Sequence, residues 1–137
     1  MKYPSQIDCV WLAADVDGRL AAFVTAGVGP IPDALLASSV DIELIESHLL
    51  QLPIVGTAVN VTNVPNPGSF IELSCRGLFV YDWTDIYVSE RQASGVYELV
   101  ASPSIELLER DLPTNLLQMA VKLGRAKSIG RGQLRIT

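Results

Sequence analysis

The chain has 137 residues, of which 49% are hydrophobic and 18% charged, and its net charge is −5. This length predicts a single domain over residues 1–137, and the hydrophobic fraction predicts a sizeable core that needs no disulfides. Two cysteines and one histidine, far apart in sequence, do not form a zinc-binding pattern, and no cofactor fingerprint is present.

Membrane and export signals are also missing from the sequence pattern. The apolar run that follows Asp8 is broken by Asp15 and Asp17, without a small-residue cleavage site. The longest apolar stretches are shorter than the roughly 20 residues that a membrane-spanning helix needs. We therefore expect a cytoplasmic protein that makes no contact with a membrane.

The charges are distributed unevenly along the chain. All fifteen acidic residues lie at or before Asp111, whereas five of the ten basic residues lie after it, from Lys122 to Arg135. One interpretation is that the basic tail folds back onto an acidic body. The other is that an acidic surface attracts a basic protein partner by long-range electrostatics. Nucleic acid is disfavoured as a ligand, because the acidic body would repel its phosphates.

The first half of the chain predicts a hairpin followed by a helix. Apolar runs at 8–14 and 19–25 flank Asp15-Val16-Asp17-Gly18, which suits a type I turn with a positive φ at Gly18. Pro32 suits the first position of a helix that extends to Leu52, with an interruption at Ser38-Ser39. His48 lies on the boundary of its apolar face.

The second half predicts shorter elements. An edge strand is expected at 57–62, a helix at 67–76 with Gly77 after its end, and strands at 78–81 and 96–101. Thr114 begins a predicted helix that Gly124 closes, and 133–137 adds a last strand. Hairpins and irregularly placed helices favour an α+β fold, with a mostly antiparallel sheet and helices packed on one face.

One segment combines aromatic and acidic residues at the end of a predicted strand. It contains Tyr81, Asp82, Trp83, Asp85 and Tyr87. These residues form a simple turn that covers the core, or a binding patch of the aromatic kind found in interaction hot spots. Paired carboxylates could also carry acid–base chemistry if a cleft brought them face to face.

Three classes of function therefore remain open. The first is a protein-interaction module that binds a basic partner through the segment around Asp82 and Asp85. The second is a small hydrolase or ligand-binding enzyme that uses these carboxylates or His48, with a pKa shifted by its pocket. The third is a structural homo-oligomer, most simply a dimer, joined through the edge strand at 57–62 or the long helix.

Several segments together show a resemblance that covers most of the chain. They are Trp11-Leu12-Ala13-x-Asp15-x-Asp17-Gly18-x-x-Ala21-x-Phe23, Gly29-Pro30-Ile31-Pro32, Arg76-Gly77-Leu78-Phe79-x-Tyr81-Asp82, Tyr97-x-Leu99-Val100-Ala101-x-Pro103 and Leu112-Pro113. This pattern resembles a group of small uncharacterised bacterial proteins associated with the immunity partners of bacterial toxins. The resemblance implies a protein that binds and blocks a toxin and catalyses nothing. It implies no particular functional residues.

Overall fold

A computed structural model describes residues 3–4, 6–83 and 96–136. The strands are β1 Val10–Ala14, β2 Leu20–Val24, β3 Ala58–Asn60, β4 Phe79–Asp82, β5 Val96–Pro103, β6 Val121–Lys122 and β7 Gln133–Arg135. The helices in these ranges are α1 Asp33–Leu36, α2 Ile45–Leu49, α3 Gly68–Ser74 and α4 Thr114–Met119, with 3₁₀ turns at Ile42–Leu44 and Glu109–Asp111. The α+β class predicted from the sequence is confirmed.

All seven strands belong to one mixed sheet, in the order β3-β5-β4-β2-β1-β6, and β7 also pairs with β5. Four of the six pairings are antiparallel, and the pairs β1–β6 and β2–β4 are parallel. The interior strands β1 and β2 are buried along their whole length, which explains why their sequences are apolar at every position. They form the predicted hairpin.

The hairpin turn has the predicted form. The N–H of Gly18 donates to the carbonyl oxygen of Asp15 at 3.0 Å, and Gly18 has a φ of +83°. The helix predicted from Pro32 to Leu52 is divided into α1, a 3₁₀ turn and α2. At the division, the Ser38 hydroxyl donates to the carbonyl of Leu35 and accepts from the N–H of Val40, which replaces helical hydrogen bonds by side-chain bonds.

The sheet is curved around a cluster of aromatic rings. In a flat sheet, β1 and β5 would lie three strand spacings apart, or about 14 Å. Instead, the indole Nε1 of Trp11 lies 3.4 Å from the hydroxyl of Tyr97. The ring of Phe23 stacks on Trp11 at 4.2 Å and on Tyr81 at 4.9 Å between centroids. The curvature therefore brings aromatic side chains from four strands into one buried cluster.

The basic tail is part of this structure. β6 pairs with β1, the N–H of Ile129 donates to the Asp15 carboxylate at 2.9 Å, and β7 pairs with β5. The helix predicted to run from Thr114 to Gly124 is shorter than expected, because Ala120 is extended and Val121–Lys122 pairs with the hairpin. No helix in the described ranges is long and apolar enough to cross a membrane.

Candidate functional site

Tyr81, the first residue of the predicted binding segment, is a core residue. Its side chain is fully buried, its hydroxyl donates to the carbonyl of Arg131 at 2.6 Å, and it accepts from the N–H of Gly130 at 3.0 Å. Burial raises the pKa of Tyr81 to about 12, although these two hydrogen bonds act in the opposite direction. Tyr81 thus fastens the tail to the sheet and presents no surface to a partner.

Trp83 lies at the margin of the aromatic cluster and is half-buried. Its backbone N–H donates to the carbonyl of Val24 at 3.1 Å, and its ring meets the ring of Tyr97 edge to face at 5.3 Å. A Cβ on Gly29 would lie 2.6 Å from the Tyr97 hydroxyl and 2.9 Å from the Cβ of Trp83, so only glycine fits here. Trp83 is therefore held in place, and the residue as a whole stays partly exposed.

Tyr97 connects this margin to the interior. Its hydroxyl donates to the carbonyl of Pro30 at 2.9 Å and accepts from the indole N–H of Trp11. Burial is the main reason that the pKa of Tyr97 is raised, and the nearby carboxylates of Asp82 and Asp8 raise it further. Tyr97 thus joins β5 to β1 and to the segment that follows β2.

Carboxylates collect at the end of the sheet opposite the hairpin turn. Val10, Val24, Asp82 and Glu98 follow one another in a single row across four strands. The 3₁₀ turn and α2 pack against β1, which places Asp41, Glu43 and Glu46 on the same side as Asp8. Burial raises the pKa of the Cys9 thiol, and these four carboxylates raise it further. We call this surface the acidic end, and its members are Asp8, Asp41, Glu43, Glu46, Asp82 and Glu98.

Local structure explains how several of these carboxylates are held. Asp8 accepts a hydrogen bond from the N–H of Ala26 at 3.0 Å, and Asp41 accepts one from the N–H of Glu43 at 3.2 Å as the cap of the 3₁₀ turn. Glu46 lies in the first turn of α2. Burial and the neighbouring Asp8 carboxylate both raise the pKa of Glu46, so the charged form of this side chain is held at a cost in free energy.

Two ion pairs lie at the hairpin-turn end of the sheet. Arg19 forms an ion pair with Glu106 at 3.3 Å, and Lys122 forms one with Glu109 at 2.6 Å. The N–H of Glu109 donates to the carbonyl of Gly18, which joins this segment to the turn. At this end, two of the carboxylates are thus paired with cations.

Few features of the described residues would support catalysis. His48 is half-buried on α2, and its Nδ1 has no hydrogen-bond partner in the part of the chain that the structure describes. No group of three metal-binding side chains occurs within residues 3–4, 6–83 and 96–136. Two neighbouring cavities of about 350 Å³ lie beside β6, and neither is lined by His48 or Asp82.

These cavities form a shallow groove between α1 and the edge of β6. Most of the lining is apolar, including Leu35, Val121 and Ile136, with Lys122 and Lys127 at its rim. Ile136, beyond β7, and Val121, in β6, line the same cavity, although these strands lie at opposite ends of the pairing order. The groove is thus a consequence of the curved sheet.

The predicted binding segment is only partly described. Asp82 and Trp83 belong to the surface at the acidic end, whereas Asp85 and Tyr87 lie outside the described residues. Sequence reasoning did not single out Asp8, Asp41, Glu43 or Glu46, because only the fold brings them near Asp82. The sole signal available was the excess of acidic residues before Asp111.

Comparison with known proteins gives no match for this chain among protein-family models, curated proteins or solved structures.

Proposed function

We propose that the protein is a cytoplasmic interaction module that binds a basic protein partner through the acidic end. The observation that carries this proposal is the convergence of six carboxylates from four separate parts of the chain, beside the half-buried Trp83. A surface with an excess of one charge speeds the approach of an oppositely charged protein and favours it over other partners.

The cost of this arrangement supports a role in binding. Glu46 is kept where burial and a second carboxylate, that of Asp8, oppose its ionisation. Groups held against their own ionisation cluster at functional sites, and a partner's cations would relieve this repulsion.

Trp83 gives the same surface an apolar anchor. Aromatic side chains carry a large share of binding energy when surrounding residues exclude water from them. The ring of Trp83 is already fixed by Tyr97 and Gly29, so its ordering would cost little on binding. The combination of a rigid tryptophan and surrounding carboxylates suits a basic protein surface.

Inhibition of a bacterial toxin is the specific form of this function that we favour. A toxin that cuts nucleic acid carries a basic surface for its phosphates, and an acidic module can occupy that surface without any chemistry. The resemblance of the chain to immunity-type proteins supports this form of the proposal.

Affinity capture tests the proposal. Wild-type protein and a variant with Glu43→Lys and Glu46→Gln are immobilised, and proteins captured from a lysate of the native cells at low and high salt are identified by mass spectrometry. The matched control carries Asp17→Lys and Asp111→Asn, which change the net charge equally at exposed positions near the hairpin turn.

We expect one basic protein to be captured by the wild type and the control at low salt, and to be lost with the acidic-end variant. Equal loss with both variants would show that only net charge matters. Equal capture by all three proteins would contradict binding through the acidic end.

A further inference from the structure

The strand β3 forms an open edge of the sheet. It pairs with β5 on one side, and among the described residues no strand pairs with it on the other. Hydrogen bonds from Val61 to the carbonyl of Val100 and from Ser104 to the carbonyl of Thr57 extend the pairing by one residue beyond each end of β3. The edge is therefore five residues long.

The backbone of this edge offers hydrogen-bonding groups to another strand. Residues 57, 59 and 61 face β5, because alternate residues of an antiparallel strand bond to the same neighbour. The N–H and C=O groups of Ala58 and Asn60 therefore point away from the sheet. Ala58 stands opposite Pro103, which has no N–H to offer, in agreement with this assignment.

The side chains around the edge are apolar. Val59 is 61% exposed and Ile54 is 63% exposed, and Val55, Val61 and Ile105 are also exposed. Ile105 lies beside Gly56, where an added Cβ would be 3.4 Å from its side chain, so it flanks the start of the edge. Exposed apolar side chains grouped around an open edge are typical of an interaction site.

The edge also lacks the usual protection against pairing. Proteins commonly place charged side chains, lysine above all, on exposed edge strands. Here no charged residue occurs anywhere from Leu49 to Ile71. A strand without charged side chains, on a protein of net charge −5, is one that another strand can cover.

We infer that β3 pairs with β3 of a second copy of this chain, antiparallel about a two-fold axis through Val59. In this register, Ala58 of one copy exchanges N–H···O=C bonds with Asn60 of the other, and the reverse pair repeats the exchange. The Val59 side chains of the two copies then lie next to each other. Each outward backbone group of Ala58 and Asn60 finds a partner.

The distribution of charge favours a second copy over a basic partner as the occupant of this edge. Two molecules of net charge −5 repel each other, and the repulsion is smallest where a neutral surface meets its own image. A basic partner, by contrast, is drawn to the acidic end, which lies at the level of Asp82, away from β3 at the level of Val80. The dimer therefore leaves the acidic end free and does not depend on the proposed function.

Sedimentation velocity over a wide range of protein concentration tests this inference on the full chain. We expect the wild type to pass from monomer to dimer as its concentration rises. Val59→Lys would place two cations side by side and Ala58→Pro would remove an outward N–H, so each variant would remain monomeric. Val16→Lys is the matched control, because Val16 is 56% exposed in the hairpin turn.

Circular dichroism and thermal melting confirm that each variant is folded before its mass is interpreted. A wild type that stays monomeric at every concentration overturns the inference. A dimer that persists in both Val59→Lys and Ala58→Pro overturns it as well, because the copies would then meet through another surface. The inference is also overturned if the chain alone remains monomeric and this edge pairs with a different protein.

Discussion

The carboxylate of Asp15 accepts a hydrogen bond from the backbone N–H of Ile129, 114 positions later in the chain, at 2.9 Å. Its other oxygen accepts from the N–H groups of Asp17 and Arg19, both at 3.0 Å. One buried side chain therefore closes the central hairpin and anchors the tail that covers the aromatic cluster. The turn and the tail are expected to lose stability together.

Replacement of Asp15 by alanine tests this link. Asp15→Ala leaves three N–H groups without their acceptor, and we expect it to lower the free energy of unfolding by about 3 kcal/mol. The matched control Asp17→Ala removes an exposed carboxylate from the same turn and should change stability by less than about 0.5 kcal/mol. Urea denaturation measures both. Equal midpoints for the two variants would contradict the role of Asp15.

The turn after α3 depends on glycine at position 77. Gly77 has a φ of +97°, and a Cβ there would lie 2.5 Å from the backbone nitrogen of Leu107. We expect Gly77→Ala to cost at least about 2 kcal/mol, since a left-handed residue other than glycine already costs about 1–2 kcal/mol. Gly124→Ala adds the same methyl group where no atom lies within 4 Å, and serves as the control in thermal unfolding.

The burial of Tyr81 predicts that the folded protein loses stability at high pH. Burial raises its pKa in the folded protein to about 12, from about 10 in an unfolded chain. The folded state then keeps a proton that the unfolded state releases, so stability falls as the pH rises through this interval. Tyr97 acts in the same direction.

The prediction is checked by measuring tyrosinate absorbance and unfolding midpoints from about pH 10 to about pH 12. Tyr81→Phe should make the fall in stability with pH less steep. A folded wild type in which all tyrosines ionise at the ordinary pKa would contradict the burial of Tyr81.

Removal of the negative charge of Glu46 is expected to make the folded protein more stable. Because folding raises its pKa, its ionisation in the folded protein reduces stability as the pH rises above the ordinary glutamate value of about 4.3. We therefore expect Glu46→Gln to melt at a higher temperature than the wild type at neutral pH, with the difference disappearing in acid. A variant that is less stable at neutral pH would argue that Glu46 makes a favourable contact instead.

Local signals in the sequence predict the parts of the fold that local interactions determine. Asp15 and Gly18 define a turn within four residues, and the apolar strands on either side pair across it. The helix ending before Gly77 is similarly marked by neighbouring residues. In contrast, Val121–Lys122 continues a helical pattern in the sequence, yet it is a strand, because a bond from Leu123 to the carbonyl of Ala14 holds it beside β1.

The residues of the acidic end divide in the same way, into those that neighbouring residues identify and those that only the fold brings together. Asp82 and Trp83 could be selected from the sequence, because aromatic and acidic residues stand together there. Asp8 and Glu46 could not, since 37 residues separate them and only the packing of α2 near the start of β1 brings them close. Tyr81 was placed with the surface residues because alternation along one short strand does not show that the tail covers it.

The central claim is that a basic partner binds the acidic end, and the association rate with the captured partner at varied ionic strength tests it most directly. For the wild type and the Asp17→Lys, Asp111→Asn control, the rate should fall steeply as salt is added. For the Glu43→Lys, Glu46→Gln variant, it should be about tenfold lower at low salt and less sensitive to salt. Equal rates for the two variants at low salt would contradict the claim.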